Sequence, residues 1–132
     1  MPIELEMALR LLLAAALGAV IGYQRERAHK SAGLRTHVLI SLGAALFTVA
    51  SIYGFAASDP ARVAAGVVTG IGFLGAGAIL HREKGIVEGL TTAASVWAVA
   101  AIGLVSGAGL YLVSVVATAI IMIVLFLPHP IR

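Results

Sequence analysis

The sequence predicts an all-α, polytopic membrane protein of about five short transmembrane helices: two parallel-repeat hairpins plus a fifth helix. Three observations carry that prediction. The 132 residues are 61% hydrophobic and 11% charged, where a soluble domain carries roughly 25% charged residues. The apolar residues gather into five segments separated by polar or glycine-containing breaks. A soluble domain this small could not hide so much apolar surface, because small domains bury the smallest fraction of theirs; a bilayer removes that limit.

The segments are Leu5–Tyr23, Val38–Ala57, Val63–Leu80, Ala93–Val105 and Leu110–Leu127. About 20 helical residues cross a hydrocarbon core, so the fourth segment is short unless Leu90-Thr91-Thr92 begin it. Thr91 or Thr92 would then cap that helix, a hydroxyl accepting a free backbone N–H. Asp59-Pro60 ends the second segment and opens the third, with proline at an early position where its missing N–H costs little. Ser106-Gly107-Ala108-Gly109 reads as a tight turn before the fifth. Glu4 and Glu6 stand at the start of the first segment, where a signal peptide carries Lys or Arg, so that segment reads as a retained span. Residues 1–132 form one domain at this length, with no soluble C-terminal domain expected.

Lys and Arg give the orientation. Arg25, Arg27, Lys30, Arg35, Arg82, Lys84 and Arg132 fall on one side, seven of the nine cations in the chain. Arg62 lies on the other side, and Arg10 lies within the first span or snorkels from it. The positive-inside rule then places the N-terminus out and the C-terminus in. The net charge of +3 and pI near 9.8 fit this loop bias, not nucleic-acid binding. Without cysteine there is no disulfide, thiolate metal site or cysteine nucleophile.

An internal repeat follows. Leu17-Gly18-Ala19 and Arg25-Glu26-Arg27 align without gaps on Leu74-Gly75-Ala76 and Arg82-Glu83-Lys84. One residue shorter, Gly33-Leu34-Arg35-Thr36 then matches Gly89-Leu90-Thr91-Thr92. Two hairpins of the same orientation, related by an axis along the membrane normal, would give this pattern; so would the shared composition of any two apolar hairpins with basic loops.

Gly70, Gly72 and Gly75 have the spacing of a dinucleotide-binding loop, but they lie in an apolar span with no preceding strand. Close helix packing is the better reading. Small residues four apart let helix backbones approach, and Gly18/Gly22, Gly66/Gly70 and Gly103/Gly107 have that spacing. Gly72, Gly75 and Gly77 add to the third helix, which is expected at the centre of the bundle or at a subunit contact.

The polar centre of the chain is residues 24–36. Two readings fit it: a solvated loop that only fixes topology, or a docking surface. Arg25, Arg27 and Lys30 are placed to meet lipid phosphates, at about 1 kcal/mol per cation near an anionic leaflet. Gly33, Arg35 and Thr36 stand at a helix N-terminus, where exposed N–H groups favour anions. Glu26 and Glu83 are available to pair with cations across the two hairpins. Arg82, Thr91 and Thr92 complete the candidate surface.

The absences constrain function. No Asp or Glu lies deep in an apolar segment, although ion and proton pathways usually need one. Magnesium favours carboxylates, and these all lie near the membrane faces. His29, His37, His81 and His129 are scattered without ligand spacing, and no nucleophile–base set is visible. Neither a resident metal or cofactor nor an enzyme activity is expected.

Gly22-Tyr23-Gln24-Arg25-Glu26-Arg27, the run from Lys30 to Thr36, the glycines from Gly70 to Gly77, and Gly89-Leu90-Thr91-Thr92 with Trp97 occur in that order. Together they resemble the MgtC/SapB family of bacterial inner-membrane proteins. The resemblance implies about five spans, an association with growth under magnesium limitation, virulence in some pathogens and no established enzyme activity. It leads to the expectation of a regulatory or interaction protein tied to magnesium homeostasis or envelope stress. The alternative is a small oligomeric magnesium transporter or channel. Expected partners are the bilayer, anionic headgroups, another membrane protein and a second copy of the chain, a dimer being favoured.

Overall fold

In a computed structural model, which describes residues 2–56, 59–80 and 86–128, the chain folds into five helices. They are α1 (Ile3–Arg27), α2 (Leu34–Tyr53), α3 (Pro60–Leu80), α4 (Ile86–Gly107) and α5 (Tyr111–Leu125). No strand occurs among the described residues. The candidates Arg82 and Glu83, with Lys84, His81, His129 and Arg132, lie outside the described residues. Helices α1 to α4 are long and apolar enough to cross a membrane. The 15 residues of α5 extend about 22 Å at 1.5 Å per residue, so this helix is the short one.

The helix starts follow local chemistry. Asp59 accepts the Ala61 N–H at 3.1 Å, ahead of Pro60 as the first residue of α3. Helix α4 begins at Ile86, more than a turn before the threonines. Thr91 and Thr92 therefore do not cap it, contrary to expectation. The Thr92 hydroxyl is used for a tertiary bond instead.

Helix α4 is central. It packs against α1, α2, α3 and α5, while α2 packs chiefly on α1 and α4. One core joins Leu17 and Ile21 of α1 to Val99 and Ile102 of α4, with Ala117, Ile121 and Leu125 of α5 against it. A second joins Ile71 of α3 and Ala32 of the first loop to Val96 and Ala100 of α4.

Glycine brings the central helices together. A Cβ on Gly18 would stand 2.8 Å from the Ser41 Cβ, and one on Gly22 would stand 2.8 Å from the Leu34 Cα. On α4, a Cβ on Gly107 would lie 2.6 Å from the Ala45 carbonyl, and Gly103 abuts the Ser41 backbone. The facing side of α2 is correspondingly small and polar: His37, Ser41, Ala44, Ala45, Thr48 and Ser51 are buried. Two of its hydroxyls are satisfied by backbone, Ser41 donating to the Ala14 carbonyl at 2.7 Å and Thr48 to the Ala44 carbonyl at 2.8 Å. Such pairing matters in lipid, where no water competes for the group.

Helix α3 lies at the edge of the bundle, not at its centre. It leans on α4 and meets α2 only weakly. Gly75 makes ordinary contact with Ala93, at 3.5 Å from a built Cβ, but Gly66, Gly70, Gly72 and Gly77 face open space among the described residues. The repeat nevertheless has a structural counterpart. Gly18 meets α2 at His37, Val38 and Ser41, and its matched residue Gly75 meets α4 at Ala93, which aligns with His37.

Candidate functional site

The polar residues concentrate at two ends of the bundle. At the basic end, α1 closes with a hydrogen-bonded turn: the Lys30 N–H reaches the Arg25 carbonyl and the His29 N–H the Glu26 carbonyl, each at 3.0 Å. His29 takes the left-handed conformation this closure demands, with φ of 58°. Glu26 then turns toward α2, and its carboxylate accepts the Leu34 N–H at 2.9 Å. Gly33 makes room for it, since a Cβ there would stand 2.6 Å from the same oxygen. The helix N-terminus beside Arg35 and Thr36, read from sequence as an anion site, thus receives the chain's own carboxylate.

Below that turn lies a buried network. Arg25 is only 2% exposed, and its guanidinium donates to the Thr92 hydroxyl at 3.1 Å, tying α1 to α4. The Ser95 hydroxyl contacts the Thr92 carbonyl at 2.9 Å and the His37 Nε2 at 3.0 Å. His37 is fully buried, and its Nδ1 lies 2.9 Å from the Gly33 carbonyl. A carbonyl only accepts, so Nδ1 carries a proton there. Three helices and the first loop are joined through these side chains.

The candidate cations therefore divide. Arg25 is part of the network; Arg27 and Arg35 are exposed and Lys30 is partly exposed. Arg27 lies along its own helix, 3.2 Å from the Tyr23 hydroxyl and 5.8 Å from that ring's centre. Thr36 is exposed, Thr91 half-buried and Thr92 buried. The division has a helical cause. Gly18, Gly22 and Arg25 share the face of α1 that meets α2 and α4, whereas Arg27, two residues on, points away. That register is present in the sequence; the basic cluster masks it.

His37 and Ser95 belong to this network although their sequence setting shows only a scattered histidine and an apolar span. The available signal is the stripe His37, Ser41, Ala44, Thr48 and Ser51 at helical spacing. At the other end, a second cluster surrounds Arg10. Its guanidinium pairs with Glu6 at 3.1 Å, donates to the Gly107 carbonyl at 3.1 Å and lies 5.2 Å from the centre of the Tyr53 ring. The Tyr111 hydroxyl donates to the same Glu6 oxygen at 2.5 Å. Arg10 thus links α1 directly to the ends of α2 and α4, while Glu6 ties α1 to the start of α5. Among the described residues, no three His, Asp or Glu side chains are grouped to hold a metal ion.

The MgtC family profile matches residues 11–132. YhiD of Escherichia coli strain K12, named as a candidate magnesium transporter, is 49% identical over 132 residues, covering 94% of this chain and 61% of YhiD. MgtC of Brucella abortus strain 2308 is 49% identical over 114 residues, 86% of this chain and 48% of that protein. SapB of Bacillus subtilis strain 168 is 37% identical over 139 residues, 98% of this chain and 60% of SapB. The chain thus spans about half to three-fifths of the length of these relatives. No solved structure gives a significant match. With its apolar helices and a family match across nearly all its length, the chain belongs to the MgtC family and is a multi-pass protein of the bacterial inner membrane.

Proposed function

We propose that this chain is a regulatory interaction module of the inner membrane, linked to magnesium homeostasis or envelope stress. Its basic end faces the cytoplasm and its exposed cations meet an anionic headgroup or a membrane protein partner. The carrying observation is the construction of the first loop. Its turn is closed by backbone bonds to Arg25 and Glu26, and α2 is capped by Glu26. Arg27 and Arg35 stand outside this framework on a supported surface. A segment needed only for topology has no use for such support. The proposed role requires no catalysis, and the working unit is a homo-oligomer, a dimer first.

The test replaces Arg27 and Arg35 together and leaves Arg25 in place, because Arg25 ties α1 to α4. Complementation of a deletion strain at low magnesium should be lost while membrane insertion is retained. Growth equal to that supported by the unaltered chain would sink the interaction reading.

A second reading, a small oligomeric magnesium transporter, draws support from the name given to YhiD and from the paired hairpins. Magnesium uptake into liposomes containing only this protein separates the two. Saturable flux supports transport; its absence from correctly inserted protein supports the interaction role.

A further inference from the structure

Between α2 and α3, at the edge of the bundle, lies an apolar groove of about 590 Å³. Leu39, Gly43 and Phe47 form one wall, Val63, Gly66 and Gly70 the other, and Ala100 of α4 lies among the lining residues. We propose that this groove is a homodimer interface, in which α3 of each copy lies in the α2–α3 groove of its partner about a two-fold axis along the membrane normal. The proposal rests on the oligomer in the functional reading and names its contact surface.

Three observations point to a helix, and to a second copy as its source. First, the molecule itself shows what its glycines do. Gly18, Gly22, Gly103 and Gly107 each abut a neighbouring helix at a distance no Cβ would allow. Gly43, Gly66 and Gly70 have the same spacing or setting, line the groove, and face open space among the described residues. Small residues of this kind are how helix backbones approach in lipid, where apolar burial itself drives little association.

Second, the repeat predicts an occupant. Helix α5 packs against α1 and α4, the first helix of one hairpin and the second of the other. Exchanging the hairpins turns that pair into α3 and α2, which form the walls of the groove. The groove is therefore the counterpart of the α5 berth. The chain has no sixth helix among its described residues to fill it.

Third, the end of the groove is self-complementary. Asp59 and Arg62 are both exposed at the start of α3. A two-fold axis beside α3 sets the acid of one copy near the base of the other, as an isologous contact requires. Such exposed pairs add little affinity but oppose a mismatched register. In this arrangement each α3 is both the ridge that fills one groove and the wall of the next, so the contact closes at two copies.

The chain contains no cysteine, which makes single-cysteine cross-linking in native membranes a clean test. Val63→Cys and Val67→Cys place a thiol on the groove face of α3, and Ala65→Cys and Thr69→Cys place one on its exposed opposite side. Oxidation should give disulfide-linked dimers at the first two positions and at least tenfold less at the other two. Adding Gly70→Leu to Val67→Cys should remove the dimer band at unchanged expression and helical content, since that side chain enters open space within its own copy. Equal cross-linking on both faces, or a dimer band indifferent to Gly70→Leu, overturns the groove as the interface while the oligomer stands. A monomer throughout overturns both, as would a groove-face disulfide to a different protein in place of a second copy.

Discussion

The two hairpins are matched in sequence and unlike in closure. In the first, α1 lies on α2 so tightly that Gly18 and Gly22 have no room for a methyl group. In the second, α3 touches α4 through Gly75 at ordinary distance, and its other glycines face no described neighbour. The same glycine pattern thus serves two situations. Spacing reports the capacity for close approach; it does not name the partner. The first hairpin meets its partner inside the chain, and the buried polar residues cluster with it. His37, Ser41, Thr48 and Ser51 lie on α2, with Thr92 and Ser95 opposite on α4.

The largest predicted effect breaks the closed region. Gly103→Leu would drive a side chain into the Ser41 backbone, where no flexible group can yield. Overpacking costs typically about 1–3 kcal/mol, and a rigid neighbour puts this variant at or above about 3 kcal/mol. Thermal unfolding in lipid nanodiscs should show a strongly lowered midpoint or no folded protein. A midpoint near that of the unaltered chain would mean that α2 and α4 are not in backbone contact.

Next is Arg25→Gln. It removes a buried, charged donor to Thr92, and hydrogen bonds to charged groups are worth about 1.5–3 kcal/mol. Arg35→Gln, at an exposed position, should stay within about 0.5 kcal/mol. Side-by-side denaturation of the two variants tests the division of the basic cluster. Equal losses would show that Arg25 does not tie α1 to α4.

That division marks the limit of what the sequence reveals. The helices are legible because about 20 apolar residues are needed to span a bilayer, and five apolar segments stand out. The start of α4 is misread because the basic segment and Gly89 interrupt the pattern before the threonines. Arg25 and Arg27 look alike among the cations, yet a helix turns about 200° between them, so one is buried with Gly22 and the other faces outward. The link from Arg10 through Glu6 to Tyr111 is long-range, and no local pattern predicts a bond between residues so far apart. The edge position of α3 is invisible for a different reason: a glycine-rich apolar helix reads the same whether its partner lies within the chain or in another copy.

The turn that closes the first hairpin provides a smaller effect of opposite sign. His29 sits at φ of 58°, where a Cβ costs roughly 1–2 kcal/mol. Helix α4 ends in the same kind of turn with Gly109 at φ of 86°. His29→Gly should therefore stabilise the chain by about 0.5–1 kcal/mol, part of the relief being offset by the greater freedom of glycine in the unfolded chain. An unchanged unfolding midpoint would mean that this turn holds His29 without strain.

The smallest effect compares the hairpins directly, with one methyl group added to each. At Gly18 that methyl would overlap the Ser41 Cβ and crowd the His37 carbonyl, so Gly18→Ala should destabilise. At Gly72 it enters open space among the described residues, on the side of α3 turned away from the α2–α3 groove. There alanine restricts the unfolded chain and favours the helix, which is worth about 0.5 kcal/mol in favour of folding. Opposite signs in parallel unfolding measurements would show that the closed and open hairpins differ in packing and not in composition. A loss at Gly72 would require a neighbour against that face of α3, placing a second contact on the side away from the groove.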